Sequence, residues 1–328
     1  MHIPDGYLSP ATCAALYAGA APFWYVSLQR MKRAFNTQMV PLLAVFAAFS
    51  FIIMMFNLPL PGGTTGHAVG VGIATIVLGP WASILGISIA LIIQAVFFGD
   101  GGITTIGANC FNMAIIGSLA TVAIYRVLAG RAPIASARRV IAAGVAGYVA
   151  INLAALAAAI EFGIQPLLYQ DASGAPLYAP YPLRIAIPAM MIGHLTIAGL
   201  AEMVVSAGVV AYLQRSEPGL LKRTAPGAVE GGDAVPNLRP LWFALAALLI
   251  LTPLGILAAG SAWGESLPSP VPRGLLALSS FWTAPMPRYA PPFLKSLAFG
   301  YLLSAMTGTG LILLVTLFAG LILRRRRG

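Results

Sequence analysis

The sequence predicts an all-α protein that crosses a membrane about nine times. Three observations carry this. Apolar residues make up 59% of the 328 residues and charged residues 9%, against about 25% charged in soluble domains. The mean hydropathy is +0.87. The apolar runs are long and continuous, without the period-two alternation of barrel strands, so they are expected to be helices.

Each crossing takes about 20 residues, which sets the element boundaries. The first helix runs near 10–29 and stops at Arg30, Lys32 and Arg33; the second runs near 39–57. A Pro- and Gly-rich loop from Leu58 to Gly66 follows. The stretch 68–98 is too long for one crossing and is interrupted at Gly79-Pro80, so it divides into a short third helix and a longer fourth. A Gly-rich loop, 99–107, leads to the fifth helix near 109–128; the sixth lies near 139–160 and the seventh near 185–213. A polar segment, 214–238, precedes the eighth helix near 240–260 and the ninth near 296–323. The expected units are a seven-helix domain (1–215), a cytoplasmic linker (216–238) and a two-helix carboxyl-terminal module (239–328).

Charge sets the expected orientation. With the amino terminus outside and the carboxyl terminus inside, Arg30, Lys32, Arg33, Arg126, Arg131, Arg138, Arg139, Arg215, Lys222, Arg223, Arg239 and Arg324 to Arg327 fall inside, fifteen in all. Only Arg184, Arg273, Arg288 and Lys295 fall outside, as the positive-inside rule requires. The net charge of +10 therefore reflects membrane topology and excludes a nucleic-acid reading. Cys13 and Cys110 stand in or beside apolar segments and belong to no C-x-x-C, so they read as buried thiols rather than a disulfide or a thiolate metal site.

The chemistry concentrates at the amino terminus. The chain begins Met1-His2-Ile3-Pro4-Asp5-Gly6. The α-amine of Met1, the backbone nitrogen of His2 and its imidazole can close two fused chelate rings on one ion, with a fourth place open. Tetragonal nitrogen sets suit Ni(II) or Cu(II), and imidazole also suits zinc and iron. No basic segment precedes the first apolar stretch and no cleavage site follows it, so Met1 is expected to be retained. Two histidines remain for the fourth place, His67 and His194. His67 ends a shaped loop, Pro59 to Gly66, whose glycines admit positive φ and whose Thr64 and Thr65 can bond loose backbone groups. That loop, the Asp100 loop and the amino terminus all fall on the outer side.

Several other residues are candidates. Asp100 or Asn109 can accept an imidazole N–H and orient the ring, or can belong to a plain turn. His194 and Glu202 lie in the seventh helix, eight residues apart and so roughly on one face. They read either as an ion path or second metal position, or as interhelical hydrogen bonds. Ala11, Ala15 and Gly19, with Ala14 and Ala18 beside them, form a small-residue face for a membrane partner or for internal packing. There is no His-Glu-x-x-His helix and no Walker loop, so any ATP hydrolysis must come from other subunits.

Met1 to Leu8, the Pro61-Gly62-Gly63-Thr64-Thr65-Gly66-His67 loop and the run Gln94 to Met113 resemble the M-type substrate-binding component of cobalt and nickel energy-coupling-factor transporters, over about residues 1–215. The resemblance implies a square-planar site of four nitrogens: the amine of Met1, the main-chain nitrogen and imidazole of His2, and the imidazole of His67. Residues 239–328 are similar to the small N-type component, through Thr252 to Gly255, Ala262 to Glu265 and Ala284 to Ala290, with Pro287-Arg288-Tyr289 where an acidic motif is common in that component. The fused arrangement is more similar to nickel members than to cobalt ones, which favours nickel.

The resemblance also implies a transmembrane coupling subunit (Q/T-type), two cytoplasmic ATPase subunits (O/A-type), a bacterial or archaeal cytoplasmic membrane and, on the cobalt side, a link to cobalamin biosynthesis. The expected function is capture of Ni(II) or Co(II) for ATP-driven uptake, with no organic cofactor and no catalytic residue. Two rivals are a membrane-embedded metalloenzyme built on His67, His194 and Glu202, and a self-sufficient secondary carrier, for which no inverted repeat is visible.

Overall fold

The computed structural model describes residues 1–34, 39–60, 64–225, 237–258 and 268–325. The architecture is helical. The helices are α1 (Pro10–Ala34), α2 (Met39–Met54), α3 (Val71–Leu78), α4 (Pro80–Ile93), α5 (Ile106–Asn109), α6 (Gly117–Ala129), α7 (Ala137–Leu168), α8 (Leu183–Gly193), α9 (Gly199–Ser216), α10 (Pro218–Lys222), α11 (Arg239–Leu251), α12 (Arg273–Ser279) and α13 (Leu297–Arg325). A small antiparallel hairpin, β1 (Leu58–Leu60) with β2 (Thr64–Gly66), lies between α2 and α3, where the sequence suggested only a loop.

Three π-helical turns join helices or extend them: Gln94–Phe98 after α4, Cys110–Ile116 between α5 and α6, and His194–Ala198 between α8 and α9. Among the described residues six segments are long and apolar enough to cross a bilayer: Pro80–Phe98, Ile106–Ala129, Ala137–Leu168, Leu183–Ser216, Arg239–Ile256 and Leu297–Leu321.

The break at Gly79-Pro80 has a local cause. Gly79 adopts φ 83°, and its N–H closes α3 on Thr75 O at 3.0 Å. Pro80 then opens α4 at the one place where a missing N–H costs nothing. The eight residues of α3 rise only about 12 Å, well short of a bilayer core of about 30 Å. The third helix is therefore short, as the break at Gly79-Pro80 suggests.

At the centre runs α7, whose inward face is made of small residues: Ala142, Ala143, Ala146, Ala150, Ala154, Ala155, Ala158 and Ala159 are all buried. Small side chains allow close helix approach where no water drives association, and α6, α8 and α9 pack around α7. The small-residue face of α1 behaves differently. Ala11, Ala14, Ala15 and Ala18 are exposed, so internal packing is not its use. The polar segment after α9 begins with a packed turn, α10, that buries Leu220 and Leu221; residues 226–236 of that expected linker lie outside the described part.

The two ends of the bundle differ. At one end Arg30 lies over the Trp81 ring, Gln214 donates to Ile134 O and Ser136 O, and Thr224 bonds Ile76 O. The other end gathers His2, His67 and Asp100. The basic clusters and the candidate metal site thus occupy opposite ends.

The amino terminus is held by close backbone approach. A Cβ on Gly107, in α5, would lie 2.7 Å from Tyr17 Cγ and 2.8 Å from Tyr17 N in α1. Gly107→Ala is expected to push α1 away and lower stability by about 1–3 kcal/mol, the usual cost of overpacking. Thermal unfolding in detergent measures this; an unchanged midpoint would refute the tight α1–α5 contact.

Candidate metal centre

Termini usually fray, but this one is a plug in the bundle. Met1 is 4% exposed, and Ile3, Tyr7 and Leu8 are fully buried. The Tyr7 ring meets Phe162 edge-on at 5.6 Å. The main chain of Ile3 is gripped on both sides: its N–H donates to Asn109 Oδ1 at 2.8 Å, and its carbonyl accepts Asn109 Nδ2 at 3.1 Å, Gly102 N at 2.9 Å and the Thr105 hydroxyl. Asp5 reaches into the same loop, accepting the N–H groups of Ile103 (3.1 Å) and Thr104 (2.8 Å) and the Thr104 hydroxyl. Gly102 is required here because a Cβ would stand 2.3 Å from Asp5 N. The Gly-rich 99–107 loop is therefore a mould for the amino terminus and not a phosphate cradle.

Directly before these grips His2 is presented to His67. Its Nδ1, the ring atom that closes a chelate with its own backbone nitrogen, lies 3.2 Å from His67 Nε2. The ring centroids are 4.8 Å apart and tilted by 30°. The same Nδ1 lies 3.1 Å from Asp100 Oδ1, with the His2 side chain only 7% exposed. His67 Nδ1 faces Ala68 O at 3.2 Å; donation there leaves the Nε2 lone pair aimed at His2. Three electron-donating atoms thus converge on the space where one proton of His2 sits, an arrangement that a divalent cation can take over.

Electrostatics favour this. Burial lowers the basicity of His2, the charge of Asp100 opposes that, and the terminal amine adds to it. Burial, then the neighbouring His2 and the terminal amine, push His67 well below the ordinary imidazole value. Both rings are neutral near pH 7 and therefore competent as metal ligands.

The turn carrying His67 is fixed from below. Glu202 of α9 accepts the N–H groups of Val69 (2.8 Å), Gly70 (2.8 Å) and Gly72 (3.0 Å), and the Ser206 hydroxyl at 3.4 Å. Gly70 allows this concave run of amides by adopting φ 72°.

The other candidates divide as follows. Asp100 touches His2 at its chelating nitrogen, Nδ1. Asn109 holds the Ile3 main chain and bonds neither imidazole in the contacts above. His194 bonds Met190 O through Nδ1 at 2.8 Å, while its buried Nε2 has no hydrogen-bond partner among the described residues. The side chains of Thr64 and Thr65 lie outside the described part. Cys13 and Cys110 are free and buried. The set His67, His194 and Glu202 is not gathered as metal ligands, since Glu202 is taken up by main-chain amides; among the described residues no three His, Cys, Asp or Glu side chains form a metal cluster. Sequence reasoning missed Asp5, Gln94 and Tyr289, which act through contacts between segments far apart in the chain; only the Asp5-Gly6 pair, set between buried apolar residues, carried a local signal.

Residues 2–220 match the model of the cobalt uptake substrate-specific transmembrane region. The chain belongs to this family. Among its relatives, the fused nickel transport protein NikMN of Rhodobacter capsulatus is 53% identical, with 100% of both chains covered. The cobalt transport protein CbiM of Geobacter sulfurreducens is 32% identical over 82% of this chain and 74% of that one. A crystal structure of a transition metal transporter is 50% identical and superposes with a TM-score of 0.63, covering 66% of this chain and 93% of that chain. The region matched by the family model, residues 2–220, includes both His2 and His67.

The lowered basicity of His67 has a consequence for folding. An unfolded histidine takes up a proton below about pH 6.5 while the folded one does not, so the native state loses stability as pH falls through that value. The unfolding midpoint of the metal-free protein is expected to drop between pH 7.5 and pH 5.5, and to drop less in His67→Ala. Equal drops in both would refute the assignment.

Proposed function

We propose that this chain is the substrate-binding membrane component of an ATP-driven uptake system for Ni(II) or Co(II), with nickel favoured. The observation that carries the reading is the 3.2 Å approach of His67 Nε2 to His2 Nδ1. In a planar set with metal–nitrogen bonds of about 2 Å, adjacent nitrogens stand about 2.8 Å apart, so the two rings need only a small closure. The amine of Met1 and the deprotonated backbone nitrogen of His2 supply the remaining corners, each in a fused ring with its neighbour. Burial of Met1 and Ile3 supports this, because it brings the first backbone nitrogens into the bundle together with the imidazole. The full-length likeness to a fused nickel transport protein supports nickel over cobalt.

In this reading residues 1–215 capture the ion, residues 216–238 link, and residues 239–328 are a fused N-type module. Binding exchanges protons for metal: the amine and the backbone amide give theirs up, while the one proton of the neutral His2 ring passes from Nδ1 to Nε2, leaving Nδ1 free for the ion. ATP is hydrolysed by two separate cytoplasmic subunits joined through a transmembrane coupling subunit, and the system lies in a bacterial or archaeal cytoplasmic membrane with the amino terminus outside. A metalloenzyme built on His67, His194 and Glu202 is disfavoured, because Glu202 is occupied by the amides of Val69, Gly70 and Gly72.

The deciding experiment blocks the first nitrogen. Extending the amino terminus by a few uncleaved residues turns the Met1 amine into an amide. Ni(II) affinity by calorimetry is expected to fall at least about a hundredfold, since one corner of four and one chelate ring are lost; His67→Ala is expected to weaken binding comparably. Full affinity in the extended protein would overturn the chelate.

A further inference from the structure

The carboxyl-terminal segment reaches the metal centre. It docks on the end of the α4 segment, where the last carbonyls of a helix have no partner within it. Trp282 Nε1 donates to Val96 O at 2.9 Å, and Met286 N donates to Phe97 O at 2.9 Å. On the other flank, Leu275 N donates to Leu177 O at 3.0 Å, and Leu275 O leaves no room for a Cβ on Gly6, which would lie 2.6 Å away. Gly6, near His2 in sequence, is thus covered by α12, and Asp100, near it in space, by the segment between α12 and α13.

Tyr289 is buried in this contact, 5% exposed. Its ring stacks on Phe98 at 5.0 Å and lies 5.5 Å from Tyr301, while Ser304 donates to its carbonyl at 3.0 Å. Arg288 and Tyr289 both sit in the left-handed region, at φ 54° and φ 58°. Such residues persist only where surroundings hold them, and they cluster at functional sites. The hydroxyl is placed by a one-way chain. Gln94 Nε2 donates to Tyr289 Oη at 2.9 Å, so the Tyr289 proton goes to Asp100 Oδ2 at 2.5 Å. Asp100 Oδ1 is left facing His2 Nδ1 at 3.1 Å.

We propose that Tyr289 is a positioning residue of the metal site: its hydroxyl fixes the Asp100 carboxylate against the chelating nitrogen of His2, so the carboxyl-terminal segment completes the site from outside the family-defining region. The inference rests on the metal-capture reading above. A dication bound by one deprotonated amide and three neutral nitrogens keeps one positive charge. In a buried site that charge is costly unless a partner stands near, and Asp100 is that partner. Tyr289 and Gln94 occupy its far oxygen and hold the near one in place.

The test uses the full chain, Ni(II) titrations and a double-mutant cycle. Tyr289→Phe keeps the stacked ring and removes only the hydroxyl. It is expected to weaken Ni(II) binding about tenfold, the usual scale for a group supporting a metal ligand, and to alter the visible circular dichroism of the bound Ni(II) in the same sense as Asp100→Asn. In the Asp100→Asn background Tyr289→Phe should add nothing, because both act through one carboxylate. Wild-type affinity in Tyr289→Phe overturns the inference, and so does an equal loss in the two backgrounds. His67→Ala keeps the two readings apart. If it abolishes binding while Tyr289→Phe is silent, only the Tyr289 inference fails; if the wild-type chain binds no Ni(II), both fail.

Discussion

The candidate centre depends on holding a chain end still. Fixing the backbone of each residue costs about 1–2 kcal/mol of conformational entropy, and a terminus has only one side from which to be held. Here the restraint comes from apolar burial and from main-chain bonds spaced along the terminus: Ile3 is clasped by Asn109 and Gly102, Asp5 by Ile103 and Thr104, and the Tyr7 carbonyl by Ala179 N. His2 stands directly before these anchors. Its geometry is inherited from theirs, and so is whatever ion it takes.

The three π-helical turns supply much of that setting. One begins at Gln94, which holds Tyr289; one begins at Cys110, directly after Asn109; one begins at His194. An extra residue in a helical turn shifts every later side chain around the axis, and such turns occur frequently at functional sites. Here they let long apolar helices, built for packing against neighbours, present polar groups toward one end of the bundle.

How much of this was readable from the sequence follows from what each feature depends on. Helix positions came through well, because apolar length and the Gly79-Pro80 break are local signals. His2 and His67 stood out because imidazoles are scarce in this chain. The role of Glu202 did not: spacing set it on a face with His194, whereas its partners are backbone amides 130 to 133 residues away. Asn109 was singled out for an imidazole and instead serves a main chain, since a side-chain amide matches a peptide group on both of its edges. The β1–β2 hairpin was hidden by its prolines and glycines, which signal a turn more strongly than three-residue strands signal pairing.

The cradle at Glu202 ties the fate of the ion to the tilt of a helix. Its amides belong to the run that follows His67, but its carboxylate belongs to α9, part of the span from Leu183 to Ser216. Rotation of that span against α3 would drag the run or tear it loose, and either movement withdraws one imidazole from its neighbour. Glu202 is thus a single joint between α9 and the backbone that follows His67, made of three main-chain hydrogen bonds to one carboxylate.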